Sequence, residues 1–312
     1  MRRHRVIMVL AGAAAIWCAG PLAVLAAAAG GAVAQTGTWR TAIEVPGLGS
    51  LNGGGFAGVD SVSCGSAGNC AAGGFYEDNS PHAQAFVVSE INGMWRMAIE
   101  VPGSAALNIG GAGVNSVSCA SAGNCAAAGS YVDGLNHGQA LVASETNGTW
   151  GAAIEVPGSG ALGGSASVAS VSCASAGNCA AGGSYTGTFN HVQAFVDSQM
   201  NGTWGAAIEV PGSASLNIGG MAQVNSVSCA SAGNCAAAGS YVDGLNHGQA
   251  LVASETNGTW GTAIEVPGSG ALNAGGAAAA RWVSCPSAGN CAVGGSYRDG
   301  SGHFQAFVDS QA

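Results

Sequence analysis

One phrase occurs five times in this chain and sets what it can fold into. Val-Ser-Cys, five residues, Cys and a short run to Tyr appear first at Val62–Tyr76, and the leading cysteine returns at Cys119, Cys173, Cys229 and Cys285, with Ser before Val-Ser-Cys in all but the last. Intervals of 55, 54, 56 and 56 residues mark one supersecondary unit repeated along the chain. Such a unit cannot bury its apolar face alone, so neighbouring copies must cover it.

Each unit resolves into four stretches with strand character. Val59–Cys64 is β-branched and alternating, and Cys70–Tyr76 runs through small residues. Gln84–Glu90 is apolar on both faces, as a strand covered on both sides should be. Trp95–Val101 puts Trp, Met, Ile and Val on one face and ends at Pro102-Gly103. Asn-Gly at 92–93, 147–148, 201–202 and 257–258 is the two-residue hairpin signal joining the third stretch to the fourth. A five-residue turn with a cysteine on each shoulder joins the first to the second. Facing hairpin positions lie about 4.5–5.5 Å apart at Cα, within disulfide reach. The expected bridges are Cys64–Cys70, Cys119–Cys125, Cys173–Cys179, Cys229–Cys235 and Cys285–Cys291. Zinc is the rival use, but the x5 spacing is wider than the usual two to four, so no metal is expected.

Four antiparallel strands repeated radially make an all-β fold, a β-propeller. The termini suggest how it closes. Thr38–Val45 reads as a fourth strand with no third before it, and Gln305–Gln311 as a third strand with no fourth after it. Pairing the two would complete a five-bladed ring of four-stranded blades. The Val-Ser-Cys…Cys-Ala-x-Gly-Ser-Tyr…Asn-Gly-Thr-Trp pattern resembles secreted bacterial repeat proteins of the kelch-like β-propeller kind. Gly-Gly at 73–74, 182–183 and 294–295 matches the kelch diglycine, while the second and fourth units carry Ala-Gly. Propellers serve as enzymes, lectins and protein-binding platforms, so the resemblance implies a fold and no single activity.

Compartment follows from the ends and the charge. A basic start, Met1 to Arg5, precedes a long apolar run ending at Ala32-Val33-Ala34, the form of a secretory signal peptide cut after Ala34. The expected organisation is a leader over 1–34 and one domain over 35–312, secreted and monomeric, with no membrane span once the leader is gone. The pattern before Cys18 does not suit lipid attachment. Lysine is absent and three of the seven arginines lie in the leader, so the exported chain is strongly acidic and a poor match for nucleic acid. Ten cysteines outside the leader, two per unit, fit an oxidising compartment.

The longest constant pattern besides the cysteines is Tyr-x5-His-x-Gln, in the loop between the second and third stretches. It brings Tyr76, His82 and Gln84 together, then Tyr131, His137 and Gln139, Tyr185, His191 and Gln193, Tyr241, His247 and Gln249, and Tyr297, His303 and Gln305. Asp78, Asp133, Asp243 and Asp299 share these loops, and Gly187 takes that place in the third. Aromatic, imidazole, carboxylate and amide groups on an exposed loop suit a shallow sugar site. The plainer reading is that Tyr and His end facing strands and pack between blades. Glu44, Glu100, Glu155, Glu209 and Glu265 form a second set, read as solvated charges on an outer strand that discourage edge association. Arg281-Trp282 breaks the repeat and could floor the channel or fill space where the ring closes. No catalytic or cofactor motif is present. The expected role is a non-catalytic module binding glycan, with a protein-interaction scaffold and a glycan-cleaving hydrolase as alternatives. Residues 114–151 and 224–261 are identical, so agreement between those copies reflects duplication.

Overall fold

The computed structural model describes residues 37–80 and 82–311; the expected leader and its cleavage site lie outside them. Two compact units are present, Met1–Ala42 and Ile43–Ala312. The described part of the first, residues 37–42, forms no helix or strand, and its Trp39 is fully exposed.

The second unit is all-β, with five antiparallel sheets following one another along the chain. In the first, Ala57–Ser66, Asn69–Glu77 and Ala83–Ile91 pair in order, and two short strands, Met94–Trp95 and Ile99–Glu100, both pair with the third. The second, third and fourth sheets repeat this plan. The fifth has three strands, Ala279–Ser287, Asn290–Arg298 and Phe304–Ser310. All five expected disulfides form at the end of the first hairpin, with Cα–Cα distances of 3.9–4.1 Å, and in the first four sheets they join directly facing cysteines. Asn and Gly of each Asn-Gly turn have positive φ, 50–52° for Asn and 78–84° for Gly, as the tight primed turn demands.

The fourth strand differs from the continuous one expected. It breaks because Ala98 N donates to Pro46 O, at the end of the preceding repeat segment, instead of to the ladder. Ala153, Ala207 and Ala263 do the same to Pro102, Pro157 and Pro211, each at 2.7 Å. Met97 and Ile99 consequently face solvent. Each Pro-Gly then starts a single helical turn, such as Ser104–Leu107, entered through a left-handed glycine.

Each first strand bulges midway at one residue, Asp60, Asn115, Ala169, Asn225 or Arg281, and its register shifts again next to the hairpin turn. The bulge pushes a carbonyl under the second residue of each Gly-Gly or Ala-Gly pair. A Cβ at Gly74, Gly129, Gly183, Gly239 or Gly295 would run into that carbonyl. The constant glycine is therefore a packing requirement of the bulge.

The core lies in the seams between consecutive sheets. Val87 and Ala71 of the first sheet meet Val114, Val117, Leu141 and Trp150 of the second, and the next two seams repeat this composition. Serines stitch the first strands across each seam. Ser61, Ser116, Ser170 and Ser226 accept from the backbone N–H of Val117, Val171, Val227 and Val283 at 2.9–3.2 Å. A second lock joins Ser89 Oγ to Glu145 (2.7 Å) and to Trp150 Nε1 (3.0 Å), and Ser198 to Glu255 and Trp260 at the same distances.

The closing pair expected at the termini is not formed. Phe304–Ser310 pairs only with the strand before it, and Ile43–Glu44 pairs with none. Val45, Leu48 and Leu51 pack on Tyr76, Phe86 and Val88 of the first sheet, and Pro46 O accepts from Ala98 N.

Candidate functional site

The loops between second and third strands occupy one end of each sheet, and their polar groups are largely spent on internal bonds. Asp133 Oδ1 accepts from the N–H groups of Leu135 and His137 at 2.8 and 2.9 Å, and its Oδ2 accepts from Gln139 Nε2 at 2.8 Å. Asp243 does the same with Leu245, His247 and Gln249. Asp78 and Asp299 add a serine hydroxyl, Ser80 and Ser301. These donors hold all four carboxyls below the usual range; for Asp133 the His137 N–H is the first cause, for Asp243 the Gln249 amide. They are turn-closing side chains. Gly187 cannot do this, and the third loop is held by Gly187 N donating to His191 O, with Phe189 and Asn190 at positive φ.

The tyrosines lie in the core. Tyr76, Tyr131, Tyr185 and Tyr241 are buried and donate to Glu100, Glu155, Glu209 and Glu265 at 3.2, 3.2, 2.7 and 3.0 Å. Burial first, then the adjacent carboxylate, pushes their hydroxyls up, that of Tyr131 to about 12. A tyrosine can serve as a nucleophile beside a carboxylate, but these hydroxyls are covered and hold their protons. The reading of the glutamates as free solvated charges is thereby corrected for Glu100, Glu155, Glu209 and Glu265, each of which anchors a tyrosine, while Glu44 is exposed; Glu100, Glu155 and Glu209 also take the first hydroxyl of the helical turn. Tyr297 has no outer-strand glutamate in its three-stranded sheet.

The glutamines reach the linker to the next sheet. Gln84, Gln193 and Gln249 accept from Asn108, Asn217 and Asn273 at 2.9–3.0 Å, so these asparagines tie each loop to the following linker. Gly163 stands at that position in the second linker, and there Gln139 Oε1 is buried with no partner.

The five histidines are what remains: His82, His137, His191, His247 and His303 are all exposed. The rings of His191 and His247 lie over Gly220 and Gly276, whose positive φ (81° and 71°) and missing Cβ admit them. His303 Nδ1 meets Ser301 Oγ at 3.0 Å, and His247 Nδ1 lies 3.9 Å from Asp243. Beside them the loop tips Leu135, Phe189 and Leu245 stand out, Phe189 at 92% exposure, and so do Ile109 and Ile218 of the linkers. Ile218 borders Gly244 of the fourth loop. Arg281 is the bulged residue of the fifth sheet, and Trp282 is exposed at the position where the other sheets carry the stitching serine. Among the described residues no three or more potential ligands gather as a metal would need.

Three buried acidic residues escaped the sequence reading: Glu145 and Glu255, held by Ser89 and Ser198, and Asp197. Asp197 is buried where the second and fourth sheets have Ala143 and Ala253, and its only bond is from Ser198 N at 2.7 Å. Its Oδ2 and the indole Nε1 of Trp204 are both buried without a partner. Desolvation pushes its carboxyl up to about 7.

No protein-family model matches this chain, and no curated protein matches it. Among solved structures it is similar to a protein of unknown function from Dyadobacter fermentans, at 14% identity and a TM-score of 0.42, over 78% of this chain and 71% of that one. A Hadza microbial sialidase superposes at 12% identity and a TM-score of 0.42, over 80% and 64%. A thermostable family-43 glycoside hydrolase does so at 13% and 0.41, over 82% and 90%. Likeness at that level carries neither an activity nor a substrate to this chain. The kelch assignment stays a resemblance.

Proposed function

We propose that this chain is an extracellular, non-catalytic interaction module that engages a protein partner through the loop-bearing ends of its sheets. One observation carries the reading. The groups that would recognise a sugar, Tyr, Asp and Gln, are committed to internal bonds in the loops, whereas Leu135, Phe189, Leu245, Ile109 and Ile218 stand exposed beside the histidines. Buried, proton-holding tyrosines offer neither a stacking face nor a nucleophile. Five disulfides suit the oxidising exterior, and no helix among the described residues is long and apolar enough to cross a membrane.

The same reading takes the five sheets as a closed five-bladed ring, with the fifth sheet against the first. Val87, Val142 and Val196 are fully buried by the next sheet, while Val308 at the same position is 87% exposed. Val114, Val168 and Val224 are buried by the previous sheet, while Val59 is 48% exposed and Val62 61%. Each unpaired face has the composition that the other lacks as a neighbour.

The test compares the wild type with a Leu135→Ser/Phe189→Ser/Leu245→Ser variant for binding to intact cells treated with protease or with periodate. Binding lost after protease and in the variant, but kept after periodate, supports the protein partner. Binding lost after periodate alone would return the glycan reading, and release of reducing sugar from a polysaccharide would return the hydrolase.

A further inference from the structure

The fifth sheet ends in an open edge. In the other four sheets two short strands cover the outer side of the third strand, and their bonds to it recur. In the second sheet Gly151 N, just after the tryptophan, donates to Ser144 O, and Val156 N donates to Ala140 O; the first, third and fourth sheets repeat both bonds. The matching carbonyls of the fifth sheet are Ser310 O and Ala306 O, on a strand that pairs only with Asn290–Arg298.

Asp309 of that strand also lines a cavity of about 370 Å³, bordered across the seam by Val252, Ser254 and Pro267, and by Val283 and Cys291 of the fifth sheet itself. At the three preceding seams the valines and the cysteine in these places enclose Trp150, Trp204 and Trp260. Ser254 stands where Ser89 and Ser198 accept an indole N–H. Pro267 stands where Pro102, Pro157 and Pro211 accept from the alanine three residues past the tryptophan. Val252 is only partly buried, whereas Val87, Val142 and Val196 are fully buried in their seams.

We infer that this edge is a strand-acceptor site for a second protein, whose extended segment has the form Trp-x-x-Ala-Ile-Glu. That is the form of the segments that begin at Trp95, Trp150, Trp204 and Trp260 and complete the four other sheets. An added strand gains affinity from the backbone ladder, and the pockets beside it select its side chains. Lying antiparallel to Phe304–Ser310, it places its indole in the cavity with Nε1 donating to Ser254 Oγ. The next residue donates to Ser310 O, and the alanine N–H donates to Pro267 O. The third and fifth sheets both read Phe-Val-Asp-Ser-Gln here, so the register of Val196 opposite Ile208 and Phe195 opposite Glu209 carries over. The partner's Ile then faces Val308, and its Glu faces Phe307 and serves Tyr297 as Glu209 serves Tyr185. The site lies on the side of the fifth sheet away from its first strand. It depends neither on how the ring closes nor on the loop surface.

The test is fluorescence anisotropy of a labelled synthetic peptide, Thr-Trp-Gly-Ala-Ala-Ile-Glu-Val as in residues 149–156, titrated into the full oxidised chain, with light scattering to follow oligomeric state. Saturable binding of one peptide per monomer is the expected result. Alanine in place of the peptide's tryptophan should weaken it by about tenfold, because the indole is what fills the cavity. Ser254→Ala in the chain should weaken it by about fivefold, the loss of one hydrogen bond. Equal binding of the tryptophan and alanine peptides refutes the assignment. No uptake by the full chain means that the edge is filled or closed, and overturns the acceptor site. A dimer that the peptide splits would give the edge to a second copy of this chain, which equally overturns a foreign partner.

Discussion

Asp197→Ala should stabilise the protein at alkaline pH, the reverse of what removing a buried hydrogen-bonded group does. The carboxyl is buried, its Oδ2 has no partner, and desolvation raises it from an ordinary 3.8 to about 7. A group that binds its proton more tightly when folded stabilises the fold fully below the unfolded value. That contribution is lost as pH rises through the folded value. The window therefore runs from about pH 4 to about pH 7, and a shift of about three units corresponds to about 4 kcal/mol at 1.36 kcal/mol per unit. Alanine is already the native residue at the same place in two other sheets, Ala143 and Ala253, so the seam accommodates it. The loss is one bond from Ser198 N, worth about 1 kcal/mol. Urea unfolding of oxidised wild type and variant near pH 4 and near pH 8 gives the answer. The difference between them cancels the carboxyls remote from Asp197, leaving Glu255, whose charge also raises Asp197, as the one coupled group. The variant should be slightly weaker in acid and stronger by about 2–4 kcal/mol in base. A variant weaker at both ends, or a difference independent of pH, would refute a neutral buried carboxyl at 197.

Trp150→Phe should cost about 1 kcal/mol more than Trp204→Phe in the same assay, because Trp150 loses its bond to Ser89 whereas the indole N–H of Trp204 has no partner to lose. Asn273→Ala strips Gln249 Oε1 of its donor in a buried site and should cost about 1–3 kcal/mol, with urea midpoints as the readout. Replacing Cys173 and Cys179 together by Ala opens one short loop and should lower stability by about 2 kcal/mol; no change would mean that the closed hairpin is equally ordered without its bridge.

What could be read from the sequence was local. Cysteines six residues apart and Asn-Gly pairs each fix a hairpin through the chemistry of a few adjacent residues, and every one of them formed. What escaped was decided between distant residues. Tyr131 and Glu155 look like a ligand-facing aromatic and a solvated acid until the fold sets one against the other, 24 positions apart. The fourth strand looked continuous because nothing in Arg96-Met97-Ala98 reveals that Ala98 will bond to Pro46. Asp197 sits in the third strand of its sheet, a stretch read only as apolar on both faces, and its burial is set by the fold and not by its neighbours in sequence. Asn108, Asn217 and Asn273 carry no local signal, yet each holds a glutamine from the sheet before it.

The serine stitches have a consequence for how such a chain can grow. Because Ser61 holds Val117 as Ser116 holds Val171 and Ser170 holds Val227, every repeat offers its successor the same handles that it received. A whole unit can be copied and spliced in without altering any contact set, as the identity of residues 114–151 and 224–261 records. Repeat number is then free to drift through the like seams, and the fifth unit, where Trp282 replaces the serine, is the one that departs from the pattern.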